Sequence, residues 1–164
     1  MPKETFMDIT DRKLLMLLQK DSSIPSHELG SKVGLSTSAV NERVRRLFNE
    51  KIITGAHARV NPKKVDLTIA TFISISIDNP ENNEQFLKRV GELPEILECH
   101  HVTGEYSFLL KALVRDTDHL EQLLTKGLKA AKGVISSQTM LILSSPKELP
   151  IVDCLNDMNN KKDK

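Results

Sequence analysis

The chain has 164 residues, with 23 lysines and arginines against 22 aspartates and glutamates, two cysteines and no tryptophan. This length fits one domain of ordinary size or two small ones. Hydrophobic residues make up 39% of the chain, which excludes wholesale disorder. No apolar stretch approaches the roughly 20 residues of a membrane helix, the first residues lack a secretory-signal pattern, and two cysteines do not make a disulfide framework. We therefore expect a soluble cytoplasmic protein with no membrane partner.

The charge is distributed unevenly along the chain. Residues 1–65 carry 12 basic and 7 acidic residues, whereas residues 66–164 carry 11 and 15. A basic N-terminal third followed by an acidic remainder indicates that one part meets a polyanion and the other part has a different task. Uneven charge on an ordinary solvated surface is the alternative, so the pattern of elements has to decide.

Three short helices are predicted in the first 50 residues. The first begins near Asp8 and carries a stripe of leucines at helical spacing. Ser26 is the predicted cap of the second helix, which Gly34 ends, and Ser36 is the predicted cap of the third. Two short helices joined by about three residues that include a glycine form a helix-turn-helix arrangement.

The outer face of the third helix carries the candidate chemistry. Val40, Val44 and Leu47 are spaced to face inward, which turns a polar face outward. A DNA major groove admits one helix, and residues near the N-terminus of that helix meet the base edges. An ordinary solvated helix face is the alternative. The predicted outward residues are Ser38, Asn41, Glu42, Arg45 and Arg46.

Each of these side chains suits a particular contact. Hydroxyl and amide groups, including Thr37, donate to or accept from base edges, Glu42 accepts from a cytosine amine, and arginines pair with guanine or phosphate. Arg43 lies nearer the inner face, where it braces the fold or reaches a backbone phosphate. The candidate phosphate contacts are Lys32, Arg45, Arg46, Lys51, Lys63 and Lys64.

Strands and helices alternate after residue 67. Isoleucine and threonine at every second position of residues 69–77 indicate a strand with one buried face. The predicted elements are a strand over residues 68–77, a helix over 84–93, strands over 96–102 and 108–114, a helix capped by Asp118 and ended by Gly133, and a strand over 134–143. This βαββαβ order is the ferredoxin-like split βαβ unit. One face of its sheet is open to a partner chain, so we expect at least a dimer.

These patterns divide the chain into four parts. A DNA-binding domain covers residues 1–60, a linker containing Asn61-Pro62-Lys63-Lys64 covers 61–66, and the ferredoxin-like domain covers 67–147. Residues 148–164 form a C-terminal tail, of which the wholly polar residues 159–164 are predicted to be disordered. Cys154 in this tail is interpreted as an incidental thiol.

A metal site and an enzyme active site are two further interpretations of the sequence, and neither is favoured. Glu98, Cys99, His100 and His101 resemble a metal-binding cluster, but neighbouring strand residues point to opposite faces, so a structural role is favoured and no metal is expected. An enzyme is not predicted either. The sequence has no nucleophile with a base, no phosphate-binding loop and no zinc spacing, so no catalytic residue is assigned.

The order and spacing of several short stretches resemble the Lrp/AsnC (feast/famine) family of transcriptional regulators over residues 8 to 150. Each stretch alone is weak evidence, but their joint order is specific. The matching stretches are Asp8-Ile9-Thr10-Asp11-Arg12-Lys13-Leu14-Leu15, Leu29-Gly30-Ser31-Lys32-Val33-Gly34-Leu35-Ser36, Arg43-Val44-Arg45-Arg46-Leu47, Ile52-Ile53-Thr54-Gly55, Glu98-Cys99-His100-His101-Val102-Thr103-Gly104-Glu105-Tyr106 and Gly133-Val134.

The resemblance implies an α+β protein with two domains. The N-terminal domain is a winged-helix-like helix-turn-helix that binds double-stranded DNA, and the C-terminal domain is a ferredoxin-like RAM (ACT-like) domain for assembly and amino-acid sensing. Dimers that assemble into tetramers or octamers are implied, as is association with the nucleoid. No cofactor is implied beyond an amino-acid effector. The candidate DNA contacts from the helix pattern and charge are Lys32, Ser36, Thr37, Ser38, Asn41, Glu42, Arg43, Arg45, Arg46 and Lys51. By the resemblance, the effector is contacted by Val102, Thr103, Gly104, Glu105, Tyr106, Ser107, Gln138 and Thr139.

Three positions depart from the family pattern. Lys51 stands where a glycine is common, and Ala56 stands where an aromatic residue is usual. Ser107 replaces the usual aspartate of the effector turn. An aspartate pairs with an amino group, whereas a serine offers only a hydroxyl hydrogen bond. An amino acid, a different ligand and no ligand therefore stay open.

Overall fold

The computed structural model describes residues 7–155, which form two compact units. The first unit contains residues 7–59 together with residues 148–155, and the second contains residues 60–147. Residues 159–164, predicted to be disordered, lie outside the described residues. Within residues 7–155, no helix is long and apolar enough to cross a membrane.

The first unit begins with three helices: α1 (Ile9–Lys20), α2 (Ser26–Val33) and α3 (Thr37–Asn49). The predicted start of α1 near Asp8 is confirmed, because the Asp8 carboxylate caps the helix by accepting a hydrogen bond from the backbone N–H of Asp11 at 2.8 Å. The predicted cap of α2 is wrong by one residue. Pro25 occupies the capping position without a side-chain bond, and Ser26 is the first helical residue.

The core of this unit lies where the three helices meet. Leu14 of α1, Leu29 of α2 and Val40 of α3 are buried against one another. Gly34 ends α2 with φ of 74°, a left-handed conformation that favours glycine, which confirms its predicted role. The turn brings α3 across α2 in the predicted helix-turn-helix arrangement.

Residues 148–155, which the sequence places in a separate tail, hydrogen-bond to α1. The side-chain amide of Gln19 donates to the carbonyl of Val152 at 3.0 Å and accepts from the Val152 N–H at 2.8 Å. Arg12 donates to the carbonyl of Cys154 at 2.7 Å. The C-terminal end of the described chain is therefore part of the first unit.

The second unit is an antiparallel sheet with helices on one face. Its strands are β1 (Ile69–Ile77), β2 (Ile96–His101), β3 (Phe108–Val114) and β4 (Val134–Leu141), in the spatial order β2-β3-β1-β4. Between them lie α4 (Asn83–Gly91) and α5 (Thr117–Gln122), which continues as a π-helical turn over Leu123–Leu128. The predicted βαββαβ order and ferredoxin-like fold are confirmed.

One face of the sheet forms the core of this unit. Ile73 and Ile75 of β1, Leu110 of β3 and Phe86 of α4 are fully buried, as period-2 spacing and helical spacing predicted. The register places Phe72 beside Met140 on the opposite face, where Met140 is 43% exposed. That face carries partly exposed apolar side chains, in keeping with the expected open face.

Several sequence-predicted details of this unit differ. The predicted linker residues form a short 3-10 turn, Pro62–Val65. Helix α5 is capped by Asp116, whose carboxylate accepts from the N–H of His119, and not by Asp118. Gly133 does not end a helix but lies in the turn before β4, with φ of 88°. On helix α4, Leu87 is 45% exposed, whereas Phe86 beside it is fully buried.

Candidate functional site

Helix α3 presents a polar outer face next to a buried inner face. Ser36 caps the helix by accepting from the N–H of Ala39 at 3.3 Å, as predicted, and its hydroxyl lies 3.0 Å from that of Ser38. Val40 and Leu47 are fully buried. The exposed candidates on and beside α3 are Ser36, Thr37, Ser38, Asn41, Glu42 and Arg45, together with Lys32 and Lys51.

A buried aspartate on α1 holds two of the α3 arginines. Asp11 is fully buried. Its carboxylate accepts from Arg43 at 2.9 Å and from Arg46 at 2.6 Å, and Arg43 also donates to Asp8 at 2.6 Å. A charge buried away from water needs such partners, because an unpaired one would be costly. The four side chains form an ion-pair cluster that joins the N-terminus of α1 to α3.

The electrostatics favour the charged forms of Asp8 and Arg43. A hydrogen bond from the Asp11 N–H, together with the Arg43 guanidinium, holds the pKa of Asp8 below its usual value. Hydrogen bonds to Asp8 and Asp11 raise the pKa of Arg43. Arg43 thus braces the fold, one of its two predicted roles. Arg46, predicted to point outward, is instead turned toward Asp11.

Two other candidates have partners within the unit. The Ser26 hydroxyl donates to the side-chain carbonyl of Asn41 at 2.6 Å, which links the start of α2 to the outer face of α3. Lys32 forms an ion pair with Glu28 at 3.3 Å, and both side chains are about half exposed. For Arg45, Glu42 and Lys51, residues 7–155 supply no ion-pair partner. Arg45 is therefore the α3 arginine left free to bind a ligand.

The turn between β2 and β3 holds the predicted effector residues. Val102 donates its N–H to the carbonyl of Ser107 at 3.0 Å, which closes the turn. The Ser107 hydroxyl accepts from the N–H of Ile77 at 3.2 Å, so this side chain already helps to join the turn to β1. Around them, Thr103, Gly104 and Glu105 are exposed, whereas Val102, Tyr106 and Ser107 are half-buried.

The two candidates on β4 do not share a face of the sheet. Gln138 pairs with Ser74 on the open face, whereas Thr139 pairs with Ile73 on the face that the helices cover. Gln138 is exposed and Thr139 is half-buried. The structure therefore does not bring both side chains to one surface.

The histidine-rich stretch of β2 is divided between the two faces of the sheet. His100 lies beside Leu109 and contacts Glu98 at 3.2 Å, whereas His101 lies beside Phe108 and stacks on its ring. Burial raises the pKa of the Cys99 thiol, which disfavours the thiolate that metals bind. Within residues 7–155, no group of three or more His, Cys, Asp or Glu side chains is placed to hold a metal ion.

Sequence reasoning missed the partners of the candidate residues. The sequence pattern predicts no partner for Asp11, and it predicts Ser26 as a helix cap. Each forms its contact with α3 across 15 to 35 positions of sequence. A single sequence carries no local signal for contacts of this kind, since they depend on how the helices cross.

Comparison with known proteins agrees with this fold and arrangement. Two family models match, an AsnC-type helix-turn-helix domain over residues 7–47 and an Lrp/AsnC ligand binding domain over residues 70–152. The leucine-responsive regulatory proteins of Escherichia coli K12 and Klebsiella pneumoniae are each 38% identical to the chain over 144 residues, which is 87% of this chain and 88% of each relative.

Solved structures show the same architecture. A transcriptional regulator from Neisseria meningitidis, solved as a complex with L-methionine, superimposes with a TM-score of 0.89 at 30% identity, covering 93% of this chain and 99% of that one. Escherichia coli AsnC gives a TM-score of 0.83 at 27% identity, covering 89% and 98%. The resemblance predicted from the sequence is confirmed. The chain belongs to the Lrp/AsnC family of transcriptional regulators, with an AsnC-type helix-turn-helix DNA-binding domain followed by an Lrp/AsnC ligand-binding domain.

Proposed function

We propose that this regulator binds its operator through the outer face of α3, with Ser38, Asn41 and Arg45 at the base edges. The observation that carries this assignment is the division of α3 itself. Val40 and Leu47 are fully buried while these three polar side chains are exposed on the other side of the same helix. Hydroxyl, amide and guanidinium groups are those that read bases in a major groove.

Arg45 is the sharpest test of this interface. If Arg45 pairs with a guanine, Arg45→Ala weakens specific binding by about 1–3 kcal/mol and relaxes the preference at that base pair, whereas loss of a phosphate contact would reduce the salt slope by about 1. Lys20→Ala removes the same charge from the exposed end of α1 and serves as the matched control. Fluorescence anisotropy on the operator at several salt concentrations measures both quantities. Equal losses for the two variants would remove Arg45 from the interface, and an unchanged base preference in Arg45→Ala would remove it from the base edges.

Two copies of α3 are proposed to act together. The two-fold axis of a dimer would set them in successive major grooves about 34 Å apart, which suits a roughly palindromic site. The apolar side chains on the open face of the sheet, including Phe72 and Met140, are proposed to pack against a second copy. Further assembly into tetramers or octamers would build on that dimer. The proposed location is the cytoplasm, where the regulator would meet the genome, and the proposed function includes no catalytic step.

Substitution on the open face tests the assembly. Met140→Lys places a charge where the second copy is expected, so the dimer of this variant should dissociate at a higher protein concentration than the dimer of the unmodified protein. Leu87→Lys is the matched control, because Leu87 on α4 is 45% exposed and Met140 is 43% exposed. Sedimentation velocity over a concentration series measures the difference. A dimer equally stable in both variants would place the interface elsewhere.

An amino-acid effector is proposed at the turn between β2 and β3. The N. meningitidis relative was solved with L-methionine, and the turn 102–107 here carries one carboxylate, Glu105, which is exposed. Because Ser107 offers only a hydroxyl that already accepts from Ile77, Glu105 is the group on this turn suited to pair with an ammonium. The effector would act by binding one assembly state more tightly than another.

Calorimetric titration with methionine, leucine and the other amino acids tests this proposal. Glu105→Gln should weaken the binding of an amino acid by about fivefold or more, because a charge-assisted hydrogen bond is lost. Glu92→Gln, which alters an exposed carboxylate after α4, should leave that affinity unchanged. If no amino acid binds the unmodified protein, the effector proposal fails while the DNA-binding function stands.

A further inference from the structure

The Ser26 hydroxyl is placed for a task other than capping. Pro25 occupies the capping position of α2, and Ser26 follows as the first helical residue, with no bond from its side chain to the helix backbone. Instead the hydroxyl donates to the side-chain carbonyl of Asn41 at 2.6 Å. This is a short bond between two side chains, 15 positions apart, that joins α2 to the outer face of α3.

The bond fixes which end of Asn41 is free. An asparagine amide has an accepting carbonyl end and a donating NH₂ end, and it rotates readily on an exposed helix face. Asn41 is exposed, so nothing but such a contact restrains its rotamer. With its carbonyl oxygen held by Ser26, the amide of this exposed residue keeps its two N–H donors available to a ligand.

We propose that Ser26 is a positioning residue that sets the base preference of this regulator by orienting Asn41. This inference rests on the proposed DNA interface and deepens it. Held in this way, Asn41 donates to an acceptor on a base edge, such as a purine N7 or guanine O6, and the orienting bond removes alternative rotamers before DNA arrives. Ser26 itself need not touch the DNA.

Four variants of the full-length protein separate this role from general support of the fold. They are Ser26→Ala, Ser26→Thr, Asn41→Ala and the double variant Ser26→Ala with Asn41→Ala. Binding is measured against a set of duplexes that vary one base pair at a time across the half-site. Thermal unfolding of each variant shows that the fold is retained, since neither side chain is part of the buried core.

The proposal predicts a pattern at one base pair of each half-site. Asn41→Ala abolishes the preference there. Ser26→Ala reduces it roughly two- to tenfold, the range expected from one hydrogen bond. Ser26→Thr, which keeps the hydroxyl, restores it. In the background of Asn41→Ala, the Ser26→Ala change has no further effect. Affinity for a duplex without the site is the same for all four variants.

Other outcomes overturn the proposal in distinguishable ways. If Asn41→Ala abolishes a preference that Ser26→Ala leaves intact, Ser26 has no positioning role although the interface is correct. If Ser26→Ala lowers affinity equally for every duplex, or acts as strongly without Asn41, its role is structural. If the unmodified protein shows no preference among duplexes, the proposed interface fails and this inference fails with it.

Discussion

Replacing Asp11 with alanine removes the centre of the ion-pair cluster without touching the outer face of α3. Asp11 is fully buried and lies on α1, away from the residues proposed to read bases. Its carboxylate accepts three hydrogen bonds, from Arg43 at 2.9 Å, Arg46 at 2.6 Å and the N–H of Asp8 at 3.1 Å. All three are lost in Asp11→Ala. The change therefore tests how much this cluster contributes to the stability of the first unit.

The size of the effect follows from the exposure of the partners. Breaking a buried ion pair costs about 3–5 kcal/mol when the remaining charge stays buried. The side chains of Arg43 and Arg46 are 29% and 41% exposed, so both can regain water once Asp11 is gone. We therefore expect a loss of about 2–3 kcal/mol, below the fully buried range but above the 1 kcal/mol typical of surface pairs. For a unit of this size, that lowers the melting temperature by roughly 8–24 °C.

Hydrogen–deuterium exchange read by mass spectrometry resolves the two units in the intact protein. Peptides from α1 to α3 should exchange faster in Asp11→Ala, while peptides from β1 to β4 should exchange as before. Glu42→Ala is the control, because it removes an exposed carboxylate from α3 and should change stability by less than about 0.5 kcal/mol. A loss under about 1 kcal/mol in Asp11→Ala would show that the cluster behaves as a surface pair and refute the reasoning.

Two further predictions concern a glycine and a half-buried carboxylate. In Gly30→Ala, the new Cβ would lie 2.4 Å from the backbone carbonyl oxygen of Leu35. We expect a loss of about 1–3 kcal/mol in thermal unfolding, whereas Gly91→Ala, with no atom within 4 Å, should be neutral or stabilise by up to about 1 kcal/mol. Similar shifts in both variants would contradict this. Glu95 accepts from the Nε2–H of His119 at 2.9 Å through one oxygen, and its other oxygen is buried without a partner among the described residues. His119→Ala should cost about 1–3 kcal/mol. Burial alone would raise the pKa of Glu95, but the contact with His119 and nearby positive charge lower it. The contribution is therefore complete above the ordinary glutamate pKa, near 4.3, and lost as the pH falls through the lower folded value. A pH-independent difference between His119→Ala and the unmodified protein would refute this assignment.

Much of the second unit could be predicted because its signal is local. The alternation of Ile73 and Ile75 with polar residues fixes which face of β1 is buried, whatever the other strands do. The cap of α5 could not be fixed in this way. Asp116 and Asp118 are both good capping residues two positions apart, and only the point at which β3 ends decides that Asp116 takes the role.

In the candidate site, too, local features could be predicted and contacts between helices could not. The outward direction of Asn41 and Arg45 follows from the geometry of one helix and the buried positions of Val40 and Leu47. The direction of Arg46 does not, because Asp11 on another helix turns it aside. Helical spacing gives the direction of a Cα–Cβ bond, and a long side chain then follows its nearest opposite charge.

Ion pairs within the first unit change the interpretation of the positive charge in residues 1–65. The sequence suggested that its positive charge meets a polyanion, but in the fold some of its cations form ion pairs with carboxylates of the same unit. Arg43 and Arg46 face the carboxylates of Asp8 and Asp11, and Lys32 is paired with Glu28. On the outer face of α3, Arg45 is the cation left without a partner in the described chain. These pairs leave the excess of positive charge unchanged, because Asp8, Asp11 and Glu28 are already among the seven acids of residues 1–65. They lower the number of cations free to contact phosphates, so the proposed interface relies on Arg45 and on oriented hydrogen-bonding groups.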